Sequence, residues 1–111
     1  MTNRETAEIL KRIGDMLEIL GENRFKVIAY RRAAEAILHL GQDLRSYWKA
    51  GTLQQIPGVG QAIADKIDEL LSTGRLEFYE RLQDQVPSSV VSLLEIPDVG
   101  PKTAKLLWEQ L

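Results

Sequence analysis

The stretch Leu53-Gln54-Gln55-Ile56-Pro57-Gly58-Val59-Gly60-Gln61-Ala62-Ile63-Ala64 decides the fold, because it occurs twice. Forty positions on, the chain reads Leu93-Leu94-Glu95-Ile96-Pro97-Asp98-Val99-Gly100-Pro101-Lys102-Thr103-Ala104, with Leu, Ile, Pro, Val, Gly and Ala at matching places. Repetition of this kind identifies a reused structural unit. Each copy predicts a short apolar helix, a tight Ile-Pro-x-Val-Gly turn and a second helix. Pro101 falls at the first position of its second helix, where the missing N–H removes no bond. A single copy would be an ordinary helical corner. Two matching copies point to a pair of helix-hairpin-helix units.

Outward from the repeat, the periodicity is helical. From Thr6, apolar residues recur at Ile9, Leu10, Ile13, Met16, Leu17 and Leu20, and Gly21 stops the helix. Asn23 is placed to cap a second helix, which is expected to bury Phe25, Ile28, Ala29, Ala33, Ala36, Ile37 and Leu40 before ending at Gly41. A short helix over 44–50 is closed by Gly51. Thr73-Gly74 ends the helix after the first turn, and 75–85 forms another. Pro87-Ser88-Ser89 then leads into the second copy, with a serine as expected cap. No segment alternates as a strand would, so the fold class is all-α.

The 111 residues suit one compact unit, and 44% hydrophobic with 27% charged residues excludes a disordered chain. Cysteine is absent, which removes disulfides, thiol nucleophiles and Cys-ligated zinc. The single histidine, His39, fits a helix C-terminus as a dipole partner better than a metal site. No apolar run reaches the ~20 residues of a membrane span, and no signal core opens the chain. A cytoplasmic monomer is the expectation. The net charge of −2 removes bulk basicity as an argument for nucleic acid. That charge divides into +2 for residues 1–50 and −4 for residues 51–111. Between Glu22 and Lys49, six basic groups (Arg24, Lys26, Arg31, Arg32, Arg45 and Lys49) face three acidic ones.

The repeated turn answers the charge objection. Its glycines allow a partly left-handed backbone and a close approach by another chain. Its amides then precede a helix whose dipole favours an anion. Backbone phosphates of DNA can therefore be held by main chain at Gly58, Val59 and Gly60, and at Val99 and Gly100 with Lys102. The turn carbonyls of Gln54, Ile56 and Val59, and of Leu94, Ile96 and Val99, form a candidate seat for Na+ or K+. Asp98 replaces the first glycine of the second copy; it tolerates the turn but sets a carboxylate beside the anion. Lys102 offsets this in part, so the first hairpin is the stronger candidate.

Ile56-Pro57-Gly58-Val59-Gly60 with Ala64-Asp65-Lys66-Ile67-Asp68-Glu69-Leu70-Leu71-Ser72-Thr73-Gly74, and Lys26-Val27-Ile28-Ala29-Tyr30-Arg31-Arg32-Ala33-Ala34, resembles the amino-terminal domain of family X DNA polymerases, in wording closest to the bacterial branch. The resemblance implies a lyase-type domain over 1–85 carrying the first hairpin, and over 86–111 a second hairpin that begins a truncated DNA-binding subdomain. It implies a bacterial, nucleoid-associated piece of a DNA-repair polymerase, partnered by gapped, 5′-phosphorylated DNA and by the remainder of the polymerase chain. Without the carboxylate-bearing palm, this chain is expected not to polymerise DNA, and Mg2+ belongs only to that missing part.

By the same resemblance, Lys26 and Tyr30 grip the 5′-phosphate, and Lys66 is the Schiff-base nucleophile of a 5′-deoxyribose phosphate lyase acting in base excision repair. A lysine attacks a sugar aldehyde as the free amine, which burial or nearby cations favour. The alternative is a solvated Lys66 paired with Glu69. The family's further pocket cations are replaced here by Ala62 and Phe78, and its histidine by Phe25, which weakens the lyase expectation. A third reading is a docking module without DNA affinity, with an exposed apolar patch near Trp108 and Leu111. Tyr47, Trp48 and Trp108 are better read as core or interface than as base-stacking residues.

Overall fold

Helices follow one another along the chain as the periodicity requires: α1 (Asn3–Ile19), α2 (Arg24–Leu38), α3 (Leu44–Ala50), a 3-10 turn (Leu53–Gln55), α4 (Gln61–Thr73), α5 (Glu77–Gln85), α6 (Ser88–Leu93) and α7 (Pro101–Glu109). This computed structural model describes residues 1–110, and no strand occurs among them.

α1 starts three residues before the expected Thr6. Thr2 Oγ1 accepts from the Glu5 amide at 3.1 Å, while the Thr2 amide donates to Glu5 Oε1 at 3.2 Å. This capping box is written in the sequence as Thr2-x-x-Glu5, ahead of the first apolar residue of the periodic run. The hydrogen bond from the Thr2 main chain also holds the Glu5 carboxyl below its ordinary range. Asn3 then ties α1 to α3, donating to the Gln42 carbonyl and accepting from the Leu44 amide, both at 2.8 Å.

α1 and α2 cross at Gly14. A Cβ there would lie 3.2 Å from Arg31 Cγ and 3.4 Å from the Val27 carbonyl oxygen. The crossing selects the buried face of α2, and it is not the expected one. Val27, Tyr30, Ala33, Ala34 and Ile37 are buried, whereas Phe25, Ile28 and Ala29 are exposed, Phe25 at 83%. Apolar side chains surround much of α2, so periodicity alone offered two faces. The main chain of Gly14 needs the one that lets it come close.

The two hairpins share one hydrogen-bond pattern. Ile56 and Ile96 donate to Leu53 and Leu93 at 3.2 Å in both copies, Val59 and Val99 donate to Ile56 and Ile96 at 3.0 and 3.1 Å, and Ala64 and Ala104 donate to Gly60 and Gly100 at 2.8 and 2.9 Å. Gly58 takes φ +94°, and Asp98 in the same place takes +70°, the one non-glycine with positive φ among the described residues. The first arms differ. Left-handed Gly51 ends α3 so close to Leu53 that only a 3-10 turn fits, while the second copy keeps the short helix α6. The expected serine cap of α6 is not formed: Pro87 occupies the cap position, and Ser88 already begins the helix.

The first hairpin is anchored by buried Ile56, Val59, Ile63 and Ile67. The second is anchored mainly by Val90 and Ala104, with Ile96 at its tip 49% exposed. It returns to α1, where Trp108 lines a shallow cleft with Ile19 and Leu20 and Arg12 pairs with Glu95 at 3.4 Å. Trp108 is half-buried against the core, while Leu106 and Leu107 are exposed; Leu111 of the expected apolar patch lies outside the described residues.

Gly58→Ala is expected to destabilise the protein by about 1–3 kcal/mol, because it forces a side chain into a left-handed residue and against the Arg32 stem. Gly60→Ala, at φ −88° with open space around it, is expected to stay within about 0.5 kcal/mol of wild type. Urea unfolding of the two variants checks the contrast.

Candidate nucleic-acid interface

Helix starts are closed in different ways. α1, α2 and α3 are closed by the side chains of Thr2, Asn23 and Asp43. α4 and α7 begin at Gly60 and Gly100 with no capping side chain. The first amides of an α-helix have no partner within it, so α4 leaves those of Gln61 and Ala62 open, whereas α7 begins with Pro101, which has no N–H, and leaves that of Lys102. A Cβ placed on Gly60 or Gly100 would meet nothing within 4 Å, which leaves room for a second backbone to come close. Of the expected donors, Val59 and Val99 give their amides to the Ile56 and Ile96 carbonyls within the turns, so the open amides lie at the helix starts that follow. In the second, exposed Asp98 adds negative charge and exposed Lys102 adds positive charge.

A second cluster lies on α2, α4 and α5. The Tyr30 ring is buried and stacks on Phe78 of α5, with centroids 6.1 Å apart and planes 18° from parallel. Burial pushes the Tyr30 hydroxyl pKa up to about 12. That oxygen makes no hydrogen bond to the protein and is not a sealed orphan among the described residues, so its tip reaches the surface. Lys66 of α4 sets its ammonium 4.9 Å above the other aromatic of the stack, Phe78. Lys26 stands exposed one turn before Tyr30. The sequence gives Lys26 and Tyr30 one expected role and Lys66 another; Phe78 is the side chain that joins Tyr30 to Lys66.

The expected Lys66–Glu69 pair does not form. Glu69 Oε2 instead accepts from the Glu77 amide at 2.8 Å, closing the start of α5, and Asp65 Oδ1 accepts from Gln61 at 2.8 Å. Lys66 keeps its aromatic partner.

Arg31 is withdrawn from the basic surface. It donates to Asp15 at 3.1 Å and Glu18 at 3.0 Å on α1. Burial works against its charge, but the hydrogen bonds it donates to Glu18 and Asp15 outweigh that and hold the guanidinium above its ordinary range. His39 closes α2, its Nδ1 2.9 Å from the Glu35 carbonyl oxygen, in the helix-end role expected of it. Trp48 donates to Asp68 at 2.7 Å and packs on the core. Their groove of about 180 Å³, shared with Asp65, is acidic and unsuited to phosphate. No group of three or more His, Cys, Asp or Glu side chains converges as a metal site among the described residues.

Paired glycine-started helices on a wholly helical scaffold define a helix-hairpin-helix protein. The chain belongs to that family: residues 1–76 match the helix-hairpin-helix domain, and residues 50–111 match the SAM-like helix-hairpin-helix tandem. It is similar over its full 111 residues, at 33% identity, to the DNA polymerase/3′-5′ exonuclease PolX of Bacillus subtilis, of which it covers 19%. It is 31% identical over 109 residues to DNA polymerase lambda of Arabidopsis thaliana, with 97% of this chain and 20% of that protein covered. Against DNA polymerase lambda of Rattus norvegicus it is 30% identical over 105 residues, with 88% of this chain and 18% of that protein covered. The chain thus spans about a fifth of the length of these relatives. The resemblance to the amino-terminal region of family X polymerases holds along the whole chain.

Buried Tyr30 gives a pH signature. Its hydroxyl ionises near pH 10 when unfolded and near 12 when folded, so its contribution to stability is complete below pH 10 and lost as pH rises toward 12. Ultraviolet titration of the three tyrosines is expected to lose its highest-pH step in Tyr30→Phe.

Proposed function

We propose that this chain is the DNA-binding module of a family X polymerase, holding the DNA backbone at gaps and 5′-phosphate ends without reading sequence. The observation that carries the proposal is the duplicated hairpin with two uncapped, glycine-started helices. Main-chain donors at a helix start bind phosphate without needing a basic protein. The end of the strand would be recognised by Lys26, the Tyr30 hydroxyl and Lys66. Lysine supplies a point charge, and a tyrosine hydroxyl supplies a directed donor.

A monovalent cation fits the same turns. The carbonyls of Gln54 and Val59, and of Leu94 and Val99, accept no hydrogen bond among the described residues, while Ile56 and Ile96 accept only the turn amides. Na+ or K+ held by Gln54, Ile56 and Val59, or by Leu94, Ile96 and Val99, would add positive charge beside the bound phosphate.

Fluorescence anisotropy with a gapped duplex tests the main reading. Affinity is expected to fall with salt at a log–log slope of about −0.9 per phosphate contacted. It is expected to rise when the 5′ end is phosphorylated, and to rise again in Asp98→Gly. A flat salt response, or indifference to the 5′-phosphate, contradicts it.

The lyase reading makes the opposite use of Lys66. Schiff-base formation needs the Lys66 amine open to a sugar aldehyde, whereas that amine packs 4.9 Å over the Phe78 ring. Borohydride trapping on an incised abasic duplex is therefore expected to give no adduct beyond that seen with Lys66→Ala. A Lys66-dependent adduct would establish the lyase instead.

A further inference from the structure

Two adjacent arginines of α2 have different surroundings. Residues i and i+1 of an α-helix are ~100° apart around its axis. Arg31 therefore meets α1 and is held by Asp15 and Glu18. Arg32 meets the first hairpin. A Cβ on Gly58 would lie 3.2 Å from Arg32 Cγ, 3.5 Å from the Arg32 carbonyl oxygen and 3.6 Å from Ala36 Cβ. The aliphatic stem of Arg32 thus lies against the bare backbone of the turn that precedes the open start of α4. Its residue is exposed, and its guanidinium makes no ion pair among the described residues. Other cations are already engaged: Arg12 by Glu95, Arg75 by Glu80 and Lys105 by Glu109.

From this placement we infer that Arg32 is the side-chain cation of the first hairpin, contacting a DNA backbone phosphate held at the α4 start. The inference rests on the DNA-binding reading above and names a residue in that site. A guanidinium is suited to the role because its planar fork presents several donors to phosphate oxygens. Glycine at position 58 serves two needs at once: it permits the positive φ, and it makes room for the arginine stem. The second hairpin carries Asp98 in that position. Opposite charges at corresponding places make the hairpins unequal, with the first as the principal phosphate clamp.

The test is anisotropy of the full chain with a 5′-phosphorylated gapped duplex between 50 and 300 mM KCl. Arg32→Ala is expected to weaken binding about tenfold at 0.1 M salt, the scale of one lost charge-assisted hydrogen bond. Its log–log salt slope is expected to become shallower by about 0.9, one phosphate's worth. Arg32→Lys, which keeps the charge, is expected to retain the wild-type slope, and this separates charge from lost packing at Gly58. Arg12→Ala, whose charge Glu95 already balances, is expected to leave the slope unchanged. Thermal melts confirm that each variant is folded. Wild-type binding with an Arg32→Ala slope equal to wild type overturns the role of Arg32 alone. A wild-type protein without salt-dependent binding overturns the DNA-binding reading itself.

Discussion

Helix α2 is approached twice by bare backbone, at Gly14 of α1 and at Gly58 of the first hairpin. Both contacts are too tight for an ordinary side chain to be added without displacement. At Gly14 the neighbours are Arg31 Cγ, the Val27 carbonyl and Tyr30 Cβ; at Gly58 they are the Arg32 stem and carbonyl and Ala36 Cβ. Close-packed interiors transmit such constraints rather than absorbing them. The first contact sets which face of α2 is buried, and the second sets where the hairpin lies on it. Together they place Tyr30 under Phe78 and Arg32 beside the turn.

This geometry explains how a chain of net charge −2 can address DNA. Part of its basic charge has a structural use, most clearly Arg31, which neutralises the nearly buried Asp15. Among what remains are Lys26 and Arg32, exposed on α2, with Arg32 against the first hairpin, and Lys66 on α4. Backbone donors fixed by a helix need no reorganisation when phosphate arrives. The second copy repeats the hydrogen bonds of the turn, and differs in Asp98, the exposed Ile96 and its shallower anchoring.

The repeat made the hairpins legible, down to the left-handed position shared by Gly58 and Asp98, because backbone geometry there is dictated by residue type. The Thr2-x-x-Glu5 box was also present in the sequence, masked by a reading that began at the first periodic apolar residue. The buried face of α2 was not legible. Phe25, Val27, Ile28, Ala29 and Tyr30 surround the helix with apolar surface, and only the crossing at Gly14 chooses among them. The joining of Tyr30 to Lys66 was hidden for a related reason: it passes through Phe78, on a helix that sequence spacing does not connect to either residue. Arg32 stood among six basic groups with nothing to separate it from Arg31 until α1 claimed one and the hairpin the other.

The proposed function requires main-chain amides at the start of α4 to receive the phosphate. Amide NMR on uniformly 15N-labelled protein, titrated with a 5′-phosphorylated gapped duplex, addresses it most directly. The account predicts the largest shifts at Gly60, Gln61 and Ala62, with smaller ones at Gly100 and Lys102 and at Lys26 on α2. Binding that leaves the Gly60–Ala62 amides unmoved while shifting residues of another surface, such as the outer face of α5, would contradict it.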